Sequence, residues 1–398
     1  MGLIKSVMMG TAISLVVWNA SGFAMGKGHK HPDDSRLIGK KSIYFGLDPL
    51  TPQLAHDSWQ SVKTLPFDGY AMAICPDNVP CGIELPVFGS TPISSSQYQG
   101  TLSTLAGIFP QSDREIFIPV GLNNSGLTWW DDSAWATLGN NFEAISGVAS
   151  RIGAKGFFFD PEDYGDFSLY SYANQSGRDA KATGGLPKSF DEYRVQAYHR
   201  GQDLMSRIQS QLADAQLLSF WGYAAALHRG HQVWDTETAR KNKYWNDWAL
   251  HYQLLPAFLD GMASVMKGSA RLIDGYEKSY NYNHKQDFER GRHEQLQRSP
   301  SLSLLSSAEF HARVQVGFGL ALDYGDSFGN PWGKRNFWTP ESFKGALRSA
   351  YDNSDRYVWI WSESAHLFNQ TLPGGQPMKA NVPQSYLDAI LKAKSYSH

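Results

Sequence analysis

The sequence has few cysteines, little net charge, and no apolar run long enough to span a bilayer at its start. Its two cysteines, Cys75 and Cys81, have five residues between them and no histidine close by. A two-cysteine metal site would need further ligands there, so one loop-closing disulfide is expected instead. The formal net charge of -2 argues against a basic surface for nucleic acid, and no nucleic-acid partner is expected. The N-terminal apolar run, Val7 to Val17, is too short to cross a membrane. It follows Lys5 and precedes Ala20-Ser21-Gly22 and Gly22-Phe23-Ala24, which together make the pattern of a secretory leader with a small-residue cleavage site. No cysteine sits at the cleavage point, so no lipid anchor is expected after leader removal. The protein is expected to be exported, either to a periplasm or out of the cell. P-loop motifs are absent, as is an EF-hand loop. His228 and His231, with Asp235, have a possible metal-ligand spacing, but no third histidine follows and a polar loop explains them more simply. Neither a metal nor a cofactor is expected, and nothing in the pattern specifies an oligomeric state.

What remains is a chain with 42% hydrophobic residues, 13 Trp and 19 Tyr, enough for a sizeable core. Residues 1–24 read as the leader and 25–39 as a flexible polar segment. Residues 40–398 read as one domain. Within it, eight apolar runs have the length and bounds of strands: Lys41 to Leu47, Phe67 to Ile74, Glu115 to Leu122, Gly156 to Phe159, Gln216 to Trp221, Ala270 to Gly275, Arg313 to Leu322 and Arg356 to Trp361. Helical patterns lie between most of them: Thr51 to Thr64, Ser133 to Ile152, Ser189 to Ala215, a stretch within Thr236 to Lys267, His284 to Gln297, and one starting at Thr339-Pro340-Glu341. Asn174 to Lys188 reads as a polar, Gly-rich loop. Alternating strands and helices with strands buried on both faces predict an α/β fold of the (β/α)8 barrel type. A doubly wound sheet would need a Gly-rich turn after the first strand, and Gly46-Leu47-Asp48-Pro49 is not one.

The stretch Gly156-Phe157-Phe158-Phe159-Asp160-Pro161-Glu162-Asp163-Tyr164 carries the strongest chemical signal. Pro161 ends the strand. Carboxylates at the tip of a buried strand are costly unless a site uses them, and neighbouring carboxylates raise one another's pKa, as a general acid requires. The other strand ends add to this rim. Asp160, Glu162, Glu277 and Glu363 are the catalytic candidates, each following an apolar run beside aromatics. Asp48, Asn123, Tyr164, Trp221, Tyr223, Asp274, Tyr280, Asp323 and Trp361 are the substrate-binding candidates. Aromatic residues at strand ends suit the flat apolar faces and hydroxyls of a sugar. Paired carboxylates are the usual equipment for cleaving a glycosidic bond.

At these residues the chain resembles barrel-type glycoside hydrolases, over the span from Lys41 to Glu363. Asp160-Pro161-Glu162 after three aromatics resembles the end of the chitinase-type Asp-x-Glu signature, which implies Glu162 as the acid and Asp160 as the support of a substrate acetamido group. The signature's earlier acidic positions fall on Lys155 and Phe158, which argues against an N-acetylhexosamine substrate. The chain also resembles α-galactosidase-type barrels, which implies Asp160 as nucleophile and Asp274 or Glu277, after the sixth strand, as acid. The expected function is hydrolysis of a poly- or oligosaccharide. The alternative is a carbohydrate-binding barrel without catalysis.

Overall fold

The computed structural model describes residues 39–79, 81–85, 87–89, 91–109, 113–121, 126–162, 168–227, 251–324, 336–368 and 380–395. The leader, and all of the polar segment except Gly39, lie outside these residues, as do Asn123, Tyr164, His228, His231 and Asp235.

The strands in chain order are β1 Lys41–Gly46, β2 Gly69–Ala71, β3 Glu115–Gly121, β4 Gly156–Asp160, β5 Gln216–Ser219, β6 Arg271–Asp274, β7 Val314–Val316, β8 Phe318–Ala321 and β9 Tyr357–Ser362. They form one sheet in the order β7-β6-β5-β4-β3-β2-β1-β9-β8, and every pairing is parallel. β7 and β8 are two halves of the expected seventh strand, broken at Gly317. The first half pairs with β6 and the second with β9, so eight strands close on themselves as a (β/α)8 barrel. The break has a steric reason. Gly317 N–H donates to the Asp274 carbonyl at 2.8 Å, and a Cβ at Gly317 would lie 2.9 Å from that same oxygen.

The helices between strands are α1 Pro52–Val62, α2 Gln99–Leu105, α3 Asp132–Ile152, α4 Tyr172–Thr183, α5 Phe190–Gln211, α6 Leu255–Val265, α7 Lys285–His293, α8 Ser307–Arg313, α9 Pro340–Asn353 and α10 Gln384–Lys394. Ser189 and Glu192 cap α5 reciprocally, as their spacing predicts. α4 corrects the reading of Asn174 to Lys188 as a loop. Ser171 caps its start and Gly184, left-handed at φ 63°, ends it. Its polar side chains still dock it, since buried Gln175 donates to the carbonyls of Leu127 and Ser168, both at 3.3 Å.

Strand alternation sorts two cores. Ile43, Phe45, Phe117, Phe158, Leu218, Phe220, Ile273, Tyr357 and Trp359 fill the barrel interior. Residues one position away, such as Tyr44, Ile116, Phe157, Phe159, Leu217 and Leu272, pack outward in the layer beneath the helices. Cys75 and Cys81 are bonded, with Cα atoms 4.9 Å apart. Among the described residues no helix is long and apolar enough to cross a membrane.

Candidate active site

Four carboxyl groups meet at the C-terminal mouth of the barrel: Glu84, Asp160, Glu162 and Glu277. Asp160 shares the inward parity of Phe158 on β4. Its Oδ1 accepts the Glu162 N–H at 2.8 Å, a tight turn across Pro161 that brings the second carboxyl back over the barrel. Burial raises the Asp160 pKa well above the ordinary value, and the nearby charges of Glu84, Glu162 and Glu277 raise it further. Glu84, hydrogen-bonded to Asp160, is pushed up to about 7, mainly by burial. Two carboxyl groups in such contact share a proton, because the doubly ionised pair would repel in a poorly solvated site.

Glu162 is held differently. Its carboxylate accepts the Trp221 indole N–H at 2.9 Å. Burial raises its pKa and this bond lowers it. Glu277 stands on the loop after β6. Burial raises its pKa well above the ordinary value, with the charges of Glu162 and Glu84 adding to it and a Tyr280 hydrogen bond opposing it. One of its oxygens, Oε2, is buried with no hydrogen-bond partner. The turn that presents it is strained, for Tyr276 lies in the left-handed region at φ 48°. That conformation costs a non-glycine residue on the order of 1–3 kcal/mol. It is held by the Tyr276 N–H on Asp274 Oδ1 at 3.1 Å and by the Tyr276 hydroxyl on Glu294 at 2.6 Å.

The floor and walls are aromatic. Phe220 and Trp359 stack at 4.4 Å inside the barrel, and the Trp359 indole donates to the Gly275 carbonyl at 2.8 Å. Tyr280 meets Trp359 edge-on at 5.3 Å. Trp221 stacks against Tyr252 at 5.9 Å. Trp221, Tyr280 and Trp361 are half-buried over the interior core.

The remaining rim candidates take other positions. Asp48 is fully buried and accepts from Tyr44 (2.6 Å), Leu367 N–H (2.6 Å) and Phe368 N–H (3.0 Å). Asp323 accepts the N–H groups of Glu363, Ser364 and Ala365. Asp274 has the outward parity of Leu272 and lies against Gly222, where a Cβ would collide with its carboxyl group. Tyr223 turns its hydroxyl to Asp260 at 2.8 Å, beneath α6. Each of these four holds a loop or helix in place. Glu363 is half-buried at the tip of β9, one residue beyond the strand.

Sequence reasoning missed Glu84 and Tyr252. Glu84 follows no strand. Its neighbour Leu85 bridges to Val120 beside β3, which sets Glu84 next to the strand that pairs with β4. The signal available was the apolar–acid–apolar triplet Ile83-Glu84-Leu85 directly after the disulfide. Among the described residues no group of three or more His, Cys, Asp or Glu side chains is arranged to hold a metal ion.

No family model matches the sequence, and no curated protein matches it. Solved structures align with the chain over most of its length. A GH5-4 broad specificity endoglucanase from Clostridium longisporum is 7% identical with a TM-score of 0.46, covering 92% of this chain and 99% of its own. A GH18 chitinase from Pseudoalteromonas aurantia is 11% identical with a TM-score of 0.39, covering 81% and 94%. A 3-keto-D-glucoside 4-epimerase from E. coli is 12% identical with a TM-score of 0.38, covering 89% and 99%. At this distance the likenesses assign the chain to no family.

Proposed function

We propose that the protein is an exported glycoside hydrolase acting on a poly- or oligosaccharide at the barrel mouth. The observation that carries this reading is the meeting of Glu84, Asp160, Glu162 and Glu277 among aromatic walls, each with its pKa raised chiefly by burial. Glu277, whose pKa burial raises well above the ordinary value, protonates the leaving glycosidic oxygen. Glu162, whose charge the Trp221 indole stabilises, is the ionised partner that attacks the anomeric carbon or activates water. The Glu84–Asp160 pair, holding one shared proton, orients Glu162 through the turn at Pro161. Trp221, Tyr280 and Trp361 stack on sugar faces, while Glu363 binds a hydroxyl on the β9 side. Asp48, Asp274 and Asp323 position the loops that carry these groups and do not touch sugar.

Screening the purified protein against a polysaccharide and aryl-glycoside panel identifies the substrate. Glu162→Gln and Glu277→Gln keep shape and remove the titrating group, and each is expected to lower kcat by about 10² or more with the fold intact. The two then separate by leaving group. Glu277→Gln is expected to recover on aryl glycosides whose phenols leave without a proton, and Glu162→Gln is not. Wild-type rates in both variants overturn the assignment. A wild type that binds glycan and turns over none is a carbohydrate-binding barrel instead.

A further inference from the structure

A second cavity lies beside the carboxyl cluster and shares Glu84 with it. It has a volume of about 450 Å³ and a lining that is mostly apolar, chiefly Ile74, Pro76, Val79, Leu85, Pro92 and Ile93, with Glu84, Thr91, Gln97 and Tyr98 as its polar residues. Its walls are fastened from both sides. On one side the disulfide loop is tied to the helical segment after it, by the Asp77 N–H on the Gln97 carbonyl (2.6 Å), the Gly100 N–H on the Asp77 carboxylate (2.9 Å) and the Thr101 hydroxyl on the Cys75 carbonyl (3.2 Å). On the other side Asn141, fully buried on α3, holds the loop through Ile93 N–H (2.6 Å), Thr91 carbonyl (3.0 Å) and Val87 carbonyl (3.2 Å). A cavity with both walls pinned is preorganised and does not collapse when empty.

Its chemistry is wrong for another sugar ring. Sugar hydroxyls buried against Ile, Leu and Pro would lose their water without replacement. A flat apolar group fits, since the proline and branched aliphatic side chains offer contact surfaces to a ring face. One polar feature is left over. Tyr98 is fully buried, and its hydroxyl has no hydrogen-bond partner. A buried hydroxyl left this way costs about 1–3 kcal/mol unless a ligand completes it.

We propose that this cavity is a subsite for an aryl group carrying a hydroxyl or comparable acceptor, a phenolic aglycone or substituent attached to the sugar that enters the carboxyl cluster. The proposal rests on the glycosidase reading for the sugar half of the ligand. Glu84 marks the junction between the halves, contacting Asp160 on one side and lining the aryl cavity on the other. The Tyr98 hydroxyl, which keeps its proton because burial holds its pKa up to about 12, donates to the aryl oxygen.

The test is binding, so it does not depend on turnover. 4-Nitrophenol is titrated into the full-length protein and followed by ligand-observed NMR, with nitrobenzene as the analogue that lacks the hydroxyl and glucose as the sugar-only control. Val79 lines the cavity and is 53% exposed, so Val79→Trp fills the space from the rim without touching the core. Saturable binding of 4-nitrophenol that weakens about tenfold in Val79→Trp, roughly the loss of one buried ring contact, is expected. Tyr98→Phe is expected to weaken 4-nitrophenol and leave nitrobenzene unchanged, with thermal stability equal to or above the wild type. Binding that is non-saturable, or indifferent to both substitutions, overturns the proposal. The two readings fail separately. Loss of the hydrolase assignment through active Glu162→Gln and Glu277→Gln leaves these titrations standing, and failed titrations leave the carboxyl cluster standing.

Discussion

Asn141 is the buried group whose removal has the most calculable effect. It sits in the middle of α3, fully buried, and its amide makes three hydrogen bonds to the loop between Val87 and Ile93. Asn141→Leu keeps the volume and removes all three. Each typical bond contributes about 1 kcal/mol net, and a stranded group adds a desolvation cost of about 1–3 kcal/mol. The Val87 contact lies wholly inside, whereas the Ile93 N–H and Thr91 carbonyl are only partly buried and recover some solvation from water. Extra apolar burial by leucine returns about 1 kcal/mol. The balance is a loss of about 2–4 kcal/mol. Urea unfolding measures it as a lower midpoint with an unchanged slope. Asn141→Asp adds a sign check. Its oxygen still accepts from Ile93, but a carboxylate would face two carbonyls, so its folded-state pKa lies above the unfolded one. The folded state then holds an extra proton, and this variant is expected to gain stability as pH falls from 7 toward 4 relative to wild type. A midpoint within about 0.5 kcal/mol of wild type for Asn141→Leu would refute the reasoning, because surface substitutions alone reach that size.

Trp221→Phe keeps the ring against Tyr252 and removes the indole donor from Glu162. Losing a bond to the charged form raises the pKa of Glu162, so the acidic limb of kcat/KM is expected to move to higher pH; an unmoved limb shows that Glu162 is not the ionised group. Burial pushes Asp48, Asp260 and Asp274 each up to about 6. The folded chain therefore holds protons that the unfolded chain releases above about pH 4, and stability is expected to fall as pH rises from 5 to 7.5. Thermal unfolding at the two pH values with a higher Tm at 7.5 contradicts this. Reducing Cys75–Cys81 opens a short loop and is expected to cost about 2 kcal/mol, while weakening 4-nitrophenol more than any glycan; equal loss for both ligands would separate the disulfide from the aryl cavity.

The barrel was legible because its strands are apolar runs that end in acid, as in Gly156-Phe157-Phe158-Phe159-Asp160, and a parallel strand buried on both faces has no polar alternation to confuse it. The same rule singled out Asp160, Glu162 and Glu277, which lie together at the barrel mouth. The rule fails where position is set by something other than a strand end. Glu84 arrives on a loop that bridges sideways to Val120, a contact no local pattern encodes. Asp274 satisfies the strand-end rule yet faces outward, because one residue of register separates it from Ile273. Tyr223 reads as a rim aromatic but is fully buried, and Trp359, two residues before the rim candidate Trp361, fills the barrel interior. Tryptophan at a strand end cannot be told from tryptophan in a core by spacing alone. α4 was hidden by its composition, since a helix whose buried residues are Gln175 and Ser176 offers no apolar stripe to read.

The longest ladder in the barrel, six register partners between β1 and β9, joins Lys41 to Tyr357 and Gly46 to Ser362. These are the first and last strands of the barrel to leave the ribosome. Until β9 appears, β1 has one flank with unpaired N–H and C=O groups, an adhesive edge carried through nearly the whole of synthesis. The barrel stays unclosed until its final segments are made, and a chain cut before Tyr357 is expected to emerge as an open sheet recruited into aggregates and not as a smaller barrel.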